Sequence, residues 1–312
     1  MVDLSNQESI KRMLTSISSK KGRVSESTRE TYFIYIRRFC EFCGMTPDEL
    51  FEERKQDNKS DDMYIRRRHE EKLKEFTNYL REEGLSSNTV ATATGAVKSL
   101  YTHNYYPMIG VNIPSGQPIR ASKIPTKEEL AKAIDLAHMP WHGAFMMLTK
   151  DCGISVQDML ALKLGDGSPI YGSIKDQLKT GSIPIHLDIV REKTKFQFQT
   201  FLGEDSFEVL NNDAIFSDIA KKPDNKRLFP YDDSTIQFAM NKLGDKMGWT
   251  SSFAPHCLRK WFRTQLTLSD MNEALIETLM GHNLGRIKSA YLIPPPQQFM
   301  EIYQKHYLAL KL

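Results

Sequence analysis

Apolar residues recur every third or fourth position along most of this chain, the period of a helix with one buried face. Tyr32, Ile36, Phe39 and Cys43 form one such stripe. Ser27 with Glu30 makes a capping box ahead of it, and Gly44 ends it. From Glu52 to Arg68 charged residues dominate, and the stretch reads as solvated. A second helix is predicted from about Glu70 to Glu83, stopping at Gly84. Ser87 caps a third, which runs through Val90, Ala93, Val97 and Tyr101. Tyr106 to Lys123 holds Pro107, Gly110, Pro114, Gly116 and Pro118, punctuators that mark a linker. Thr126 with Glu129 forms another capping box and opens a second domain. The expected organisation is a helical domain over residues 1–112, a linker over 113–123 and a second domain over 124–312.

In the second domain the period changes once. Ile183, Ile185, Leu187 and Ile189 alternate with polar or small residues, and Phe196 and Phe198 alternate with Gln197 and Gln199. Between them lies Arg191-Glu192-Lys193-Thr194-Lys195, so the segment reads as a β-hairpin with a lysine near its tip. Helices resume around Ser234, after Pro255 and around Asn272. Phe299, Ile302, Tyr303, Tyr307 and Leu310 form a last stripe, which either packs on its own domain or meets another copy. The fold class is mainly α with a small β-hairpin, in two domains.

Composition narrows the class. Hydrophobic residues at 40% and charged residues at 26% are the proportions of an ordinary globular protein. A length of 312 residues suffices for two cores. No run approaches the ~18 apolar residues of a membrane span, and Met1–Gln7 lacks the pattern of a signal peptide. The expectation is an intracellular protein with no membrane partner. A net charge of +3 does not by itself mark a nucleic-acid binder. Residues 1–122 hold 19 Lys+Arg against 17 Asp+Glu, so a DNA-binding face has to arise from charge segregation in space. Cys40 and Cys43 make a C-x-x-C with no second pair at zinc spacing, inside the first helical stripe. They read as buried free thiols.

Candidate chemistry gathers toward the C-terminus. Pro255-His256-Cys257-Leu258-Arg259 puts His256 and Arg259 three apart at a helix start, on one face. Leu279-Met280-Gly281-His282 follows, and Ser289-Ala290-Tyr291-Leu292 places Tyr291 nine residues after His282. Cleaving a phosphodiester without a metal needs an in-line nucleophile, cations for the non-bridging oxygens and an acid for the leaving oxygen. Tyr291 offers the nucleophile, and a phosphotyrosyl bond conserves the energy for religation. Arg259 can hold two phosphate oxygens through its fork. His256 and His282 can donate hydrogen bonds or move protons near neutral pH. Lys193 on the hairpin can reach over the scissile bond as the acid. Each group alone is commonplace, since a lone tyrosine or histidine is usually structural. The ordered set carries the argument.

That ordered set resembles the catalytic domain of the tyrosine recombinases, the phage integrase and Xer-type resolvase family. Arg191-Glu192-Lys193-Thr194 resembles the segment in which the family, especially its archaeal integrases, carries its hairpin lysine. Leu160-Ala161-Leu162-Lys163-Leu164-Gly165-Asp166 resembles the helix after the first catalytic arginine. Thr28-Arg29-Glu30-Thr31-Tyr32 and Leu85-Ser86-Ser87-Asn88-Thr89 resemble the helical core-binding domain. Asp166 to Ser182 is the least familiar segment. The resemblance implies a site-specific DNA recombinase whose two domains clamp double-stranded DNA in a C shape. Tyr291 would form a 3′-phosphotyrosine, with no cofactor and no metal. It further implies a homo-oligomer, a tetramer on paired sites and a monomer or dimer in solution, with the last helix docked on a neighbouring protomer. The setting it implies is a prokaryotic cytoplasm, beside the nucleoid, on a mobile element.

One position departs from the pattern. Aligning Cys152-Gly153-Ile154-Ser155-Val156-Gln157-Asp158-Met159-Leu160 with the family's G-x-R-x-x-E-x-x-x-L puts Ser155 where the first arginine belongs and Asp158 on the accompanying acid. Ser155-x-x-Asp158 is also a capping box, so the serine is a good N-cap. Three explanations stay open. An engineered substitution disables the site, a natural member binds without cleaving, or another basic residue such as Lys150, Lys163 or Lys195 supplies the charge. The expectation is a recombinase attenuated or inactivated at Ser155, the alternative being a non-catalytic DNA-binding member of the same family.

Overall fold

The computed structural model describes residues 4, 6–21, 25–115, 123–284 and 294–312. The backbone forms two compact units, residues 1–121 and 122–312, each around its own core.

The first unit is helical among its described residues. Its elements are α1 (Glu8–Lys21), α2 (Glu26–Cys43), α3 (Pro47–Asp57), α4 (Met63–Arg66), α5 (Arg68–Glu82) and α6 (Ser87–His103). α2 and α5 bury Ile36, Phe39, Leu73 and Phe76 against Val97, Leu100 and Tyr101 of α6. Two caps fall earlier than their sequences suggest. Ser25, not Ser27, caps α2 by accepting from the Thr28 amide, and Ser86 rather than Ser87 caps α6 by accepting from Thr89. Where two serines one or two residues apart can both cap, the earlier one adds a backbone hydrogen bond per residue gained, and the helix extends to it. The thiols are free, and burial pushes Cys40 up to about 12, which leaves it inert.

The charged stretch from Glu52 to Arg68 is mostly exposed, as expected, but Arg54 and Asp57 within it are buried. It supplies most of α3 and all of α4, and Arg54, 6% exposed, donates two 2.8 Å hydrogen bonds to the Glu70 carboxylate. Hydrophobic periodicity cannot show a buried face made of a paired guanidinium and carboxylate. Nearby, buried His69 stands 3.2 Å from Glu53 and 3.6 Å from Asp57, and Lys72 and Arg68 already pair with those two acids.

The second unit runs α7 (Lys127–Asp135), α8 (Pro140–Cys152), α9 (Val156–Ala161), β1 (Gly167–Ser168), β2 (Gly172–Ser173), α10 (Ile174–Thr180), β3 (Ile185–Val190), β4 (Gln197–Leu202), α11 (Glu204–Leu210), α12 (Asp213–Lys221), α13 (Asp233–Lys246), α14 (Pro255–Leu268), α15 (Glu273–Leu279) and α16 (Pro296–His306). A short 3-10 turn, Tyr307–Ala309, follows. Thr126 and Glu129 form the expected capping box on α7. β3 and β4 make the expected antiparallel hairpin, in register from Ile185–Leu202 to Val190–Gln197. A second two-stranded ribbon, β1–β2, and α10 occupy the Asp166–Ser182 segment. α8 lies at the centre, packed by α7, α11, α14 and β4, with Phe145 and Leu148 fully buried.

Of the two seats left open for the last stripe, the structure shows packing on its own domain. Phe299, Tyr303 and Leu310 are fully buried, and Tyr303 and Phe299 pack on Phe201 of β4. Tyr303 Oη donates to the Asp151 carbonyl at 3.0 Å, and Tyr307 Oη accepts from the Asp205 amide at 2.8 Å. Beneath them Lys150, fully buried, donates to Asp151, Asp205 and the Leu310 carbonyl.

Candidate active site

Two glycines aim the backbone of this site. Gly153 ends α8 at φ 61°, and a Cβ there would stand 2.2 Å from the Phe262 ring of α14. The left-handed conformation and the close approach both require glycine. Gly281 ends α15 in the same way. Its amide donates to Thr278, the next amide, His282, donates to Glu277, and φ is 71°. This is a Schellman turn, and a Cβ on Gly281 would lie 2.8 Å from Phe198 of β4.

Arg259, in the first turns of α14 and 6% exposed, spans these two glycine turns. Its Nη1 donates to the Gly153 carbonyl at 2.6 Å, and its Nη2 donates to the Met280 carbonyl at 2.9 Å. Nη2 also lies 2.6 Å from His282 Nε2. A guanidinium can only donate, so Nε2 accepts and the imidazole proton sits on Nδ1, facing Glu277. Burial would raise the Glu277 carboxyl, but His282 and Arg263 hold it below the usual range. Arg259 has no carboxylate at hydrogen-bond distance among the described contacts. Burial first, then the charge of Arg191, brings it down to about 10.

The serine at the arginine position behaves as a cap. Ser155 Oγ accepts from the Asp158 amide at 3.2 Å and donates to Asp158 Oδ2 at 2.7 Å. Asp158 Oδ1 accepts from the Glu192 amide at 2.8 Å, which ties α9 to the base of the hairpin. The cations named as substitutes stand elsewhere. Lys150 is locked in the buried pair with Asp151 and Asp205, Lys195 is exposed and bonded to Glu192, and Lys163 is exposed beside its backbone bridge to Arg227.

Of the sequence candidates, the structure joins Arg259 to His282 and Ser155 to Asp158. His256 is exposed at the start of α14. Crowding of its ring, then Lys260 and Arg259, lowers its proton affinity. Lys193 is exposed on the hairpin tip. Tyr291 lies outside the described residues. Two residues escaped the sequence reading. Glu277 sits five positions before His282, where the turn folds it back, and Arg191 stands two before Lys193 in a segment singled out for its lysine alone. Arg191 Nη1 donates to the Gly281 carbonyl at 2.7 Å.

Residues 10–107 match the phage integrase N-terminal SAM-like domain. The chain is 20% identical to the tyrosine recombinase XerC of Leptospira interrogans over 96% of its own length and 92% of that protein. Its fold is that of a lambda integrase dimer bound to a COC′ core site, with TM-score 0.61 and 14% identity over 88% of this chain and 93% of that one. The Tn1549 transposon integrase in complex with transposon right-end DNA aligns with TM-score 0.60 and 14% identity, over 95% and 98% of the two chains. The chain thus carries a phage integrase N-terminal SAM-like domain, is similar over nearly its whole length to a tyrosine recombinase, and has the fold of these two integrases.

Proposed function

We propose that this chain cleaves and rejoins double-stranded DNA at specific sites, with Tyr291 as nucleophile. The observation that carries the reading is Arg259, a buried guanidinium without a carboxylate partner, set against the deprotonated nitrogen of His282. Such a pair can hold one phosphate and receive one proton. In the proposed step Tyr291 Oη attacks phosphorus and its proton passes to His282 Nε2. Arg259 neutralises charge on the non-bridging oxygens, and His256 donates a hydrogen bond to one of them. The P–O5′ bond breaks, and Lys193 protonates the departing 5′-oxygen. The products are a 3′-phosphotyrosyl link and a free 5′-hydroxyl. A 5′-hydroxyl of a partner duplex reverses the step, with neither metal nor cofactor. Residues 1–112 would grip the duplex and residues 124–312 would carry the chemistry. The lambda integrase tetramer on a Holliday junction, TM-score 0.61, supports assembly of four copies.

A second reading, a family member that binds DNA without cutting, draws on Ser155 alone. One experiment separates the two. The full chain is incubated with random-sequence duplexes carrying a nick that prevents religation, and adducts surviving denaturant are collected. Wild type forms them, and Tyr291→Phe forms none while binding duplex with nearly unchanged affinity. Adducts persisting in Tyr291→Phe would move the nucleophile elsewhere. No adduct with wild type would leave the binding-only reading.

A further inference from the structure

The family pattern asks for two arginines on the phosphate, and Ser155 removes one. Its side chain cannot substitute, because both of its hydrogen bonds are made to Asp158 at the start of its own helix. We propose that Arg191, from the base of the β3–β4 hairpin, supplies the missing guanidinium and contacts the scissile phosphate alongside Arg259. The proposal rests on the reading that this pocket holds a DNA phosphate.

The backbone of Arg191 is fixed, since its amide donates to the Phe196 carbonyl at 2.9 Å and its carbonyl accepts from the Lys195 amide at 2.8 Å. The side chain is 17% exposed and ends on the Gly281 carbonyl, while Arg259 ends on the Met280 carbonyl. Two guanidiniums therefore hang from successive carbonyls of one turn, next to His282. The acid nearest Arg191 is Asp158, 3.8 Å from Nε, and the Asp158 oxygens already accept from Ser155 and from the Glu192 amide. Arg191 Nε itself is buried and has no hydrogen-bond partner. Holding two like charges in a desolvated place is unfavourable unless an anion joins them. The arrangement thus has spare donors and a charge deficit facing the group that the reaction must bind.

A brace between the hairpin and the His282 turn is the competing role for Arg191, and it would need neither the charge nor the unpaired Nε. The test has two arms. In the first, the full chain is titrated with inorganic phosphate by calorimetry at constant ionic strength. Arg191→Gln is expected to weaken phosphate by about ten- to a hundredfold, as loss of a hydrogen bond to a charged group does, and Arg191→Lys by less. Circular dichroism and the thermal midpoint in chloride should stay those of the wild type. Phosphate bound equally by wild type and Arg191→Gln, but lost in Arg259→Gln, overturns the assignment and leaves the recombinase reading standing. No phosphate binding by wild type overturns the pocket altogether.

In the second arm, a duplex captured covalently by wild type is offered to each variant. Arg191→Gln should cleave it at least about a hundredfold more slowly. Adding Ser155→Arg should recover much of that rate, because both positions would serve one phosphate. Slow cleavage with unchanged phosphate affinity and no recovery assigns Arg191 the bracing role and overturns the proposal. Where the double variant fails to fold, the phosphate arm decides. If wild type captures no duplex yet its phosphate binding depends on Arg191, the recombinase reading fails and Arg191 remains an anion ligand.

Discussion

Side chains at this site are placed by backbone that only particular residues permit. Gly153 is the clearest case, because its carbonyl receives Arg259 while its α-carbon lies against Phe262. Gly153→Ala is therefore predicted to cost about 2 kcal/mol or more, from a left-handed φ on alanine plus overpacking of the ring. Urea denaturation should show the loss, and DNA cleavage should fall with it as the carbonyl shifts. A variant as stable and as active as wild type would mean that the turn does not aim Arg259. At this scale the local motifs were legible. His256 and Arg259 share a helix start by spacing, and the glycine before His282 announces the turn that presents it. Arg191 was not legible as a ligand, because its meaning depends on Ser155 and Gly281, which are far away in sequence. Sequence alone shows that an arginine is present, not which carbonyl it reaches.

Helices could be read from their apolar stripes, but not where those stripes dock. α16 illustrates the limit. Its five apolar positions were visible, yet the same stripe suits a neighbouring copy and its own domain. What decides is Lys150, a buried charge that donates to the Leu310 carbonyl and to the Asp151 and Asp205 carboxylates. Burial also lifts the Tyr303 and Tyr307 phenols above their usual range. Tyr307→Phe leaves the Asp205 amide without its acceptor and should cost about 1–3 kcal/mol. Deleting residues 296–312 should abolish the near-ultraviolet dichroism of the second domain. A truncated protein that keeps this signal and loses only self-association would return α16 to the interface between copies. α3 marks the opposite failure, since beside Leu50 and Phe51 it buries Arg54, whose pairing with Glu70 no apolar stripe announces.

On the scale of the molecule, the small net charge means that DNA affinity has to come from local patches. The Arg66-Arg67-Arg68 run is less basic than it reads. Arg67 and Arg68 pair with Glu70, Glu53 and Asp57, and Arg66 is exposed. Binding to duplex should still weaken with salt by about 0.9 in log K per log salt for each phosphate neutralised, and Arg66→Gln should flatten the slope by roughly one contact. An unchanged slope would place the DNA on another face. The seating of α16 has one more consequence, for how the second unit opens. Tyr303 ties α16 to the end of α8, and Tyr307 and the Leu310 carbonyl tie the turn after it to Asp205 and Lys150. A helix joined to the central helix in this way opens only with the core around it, so α16 and α8 form one cooperative unit.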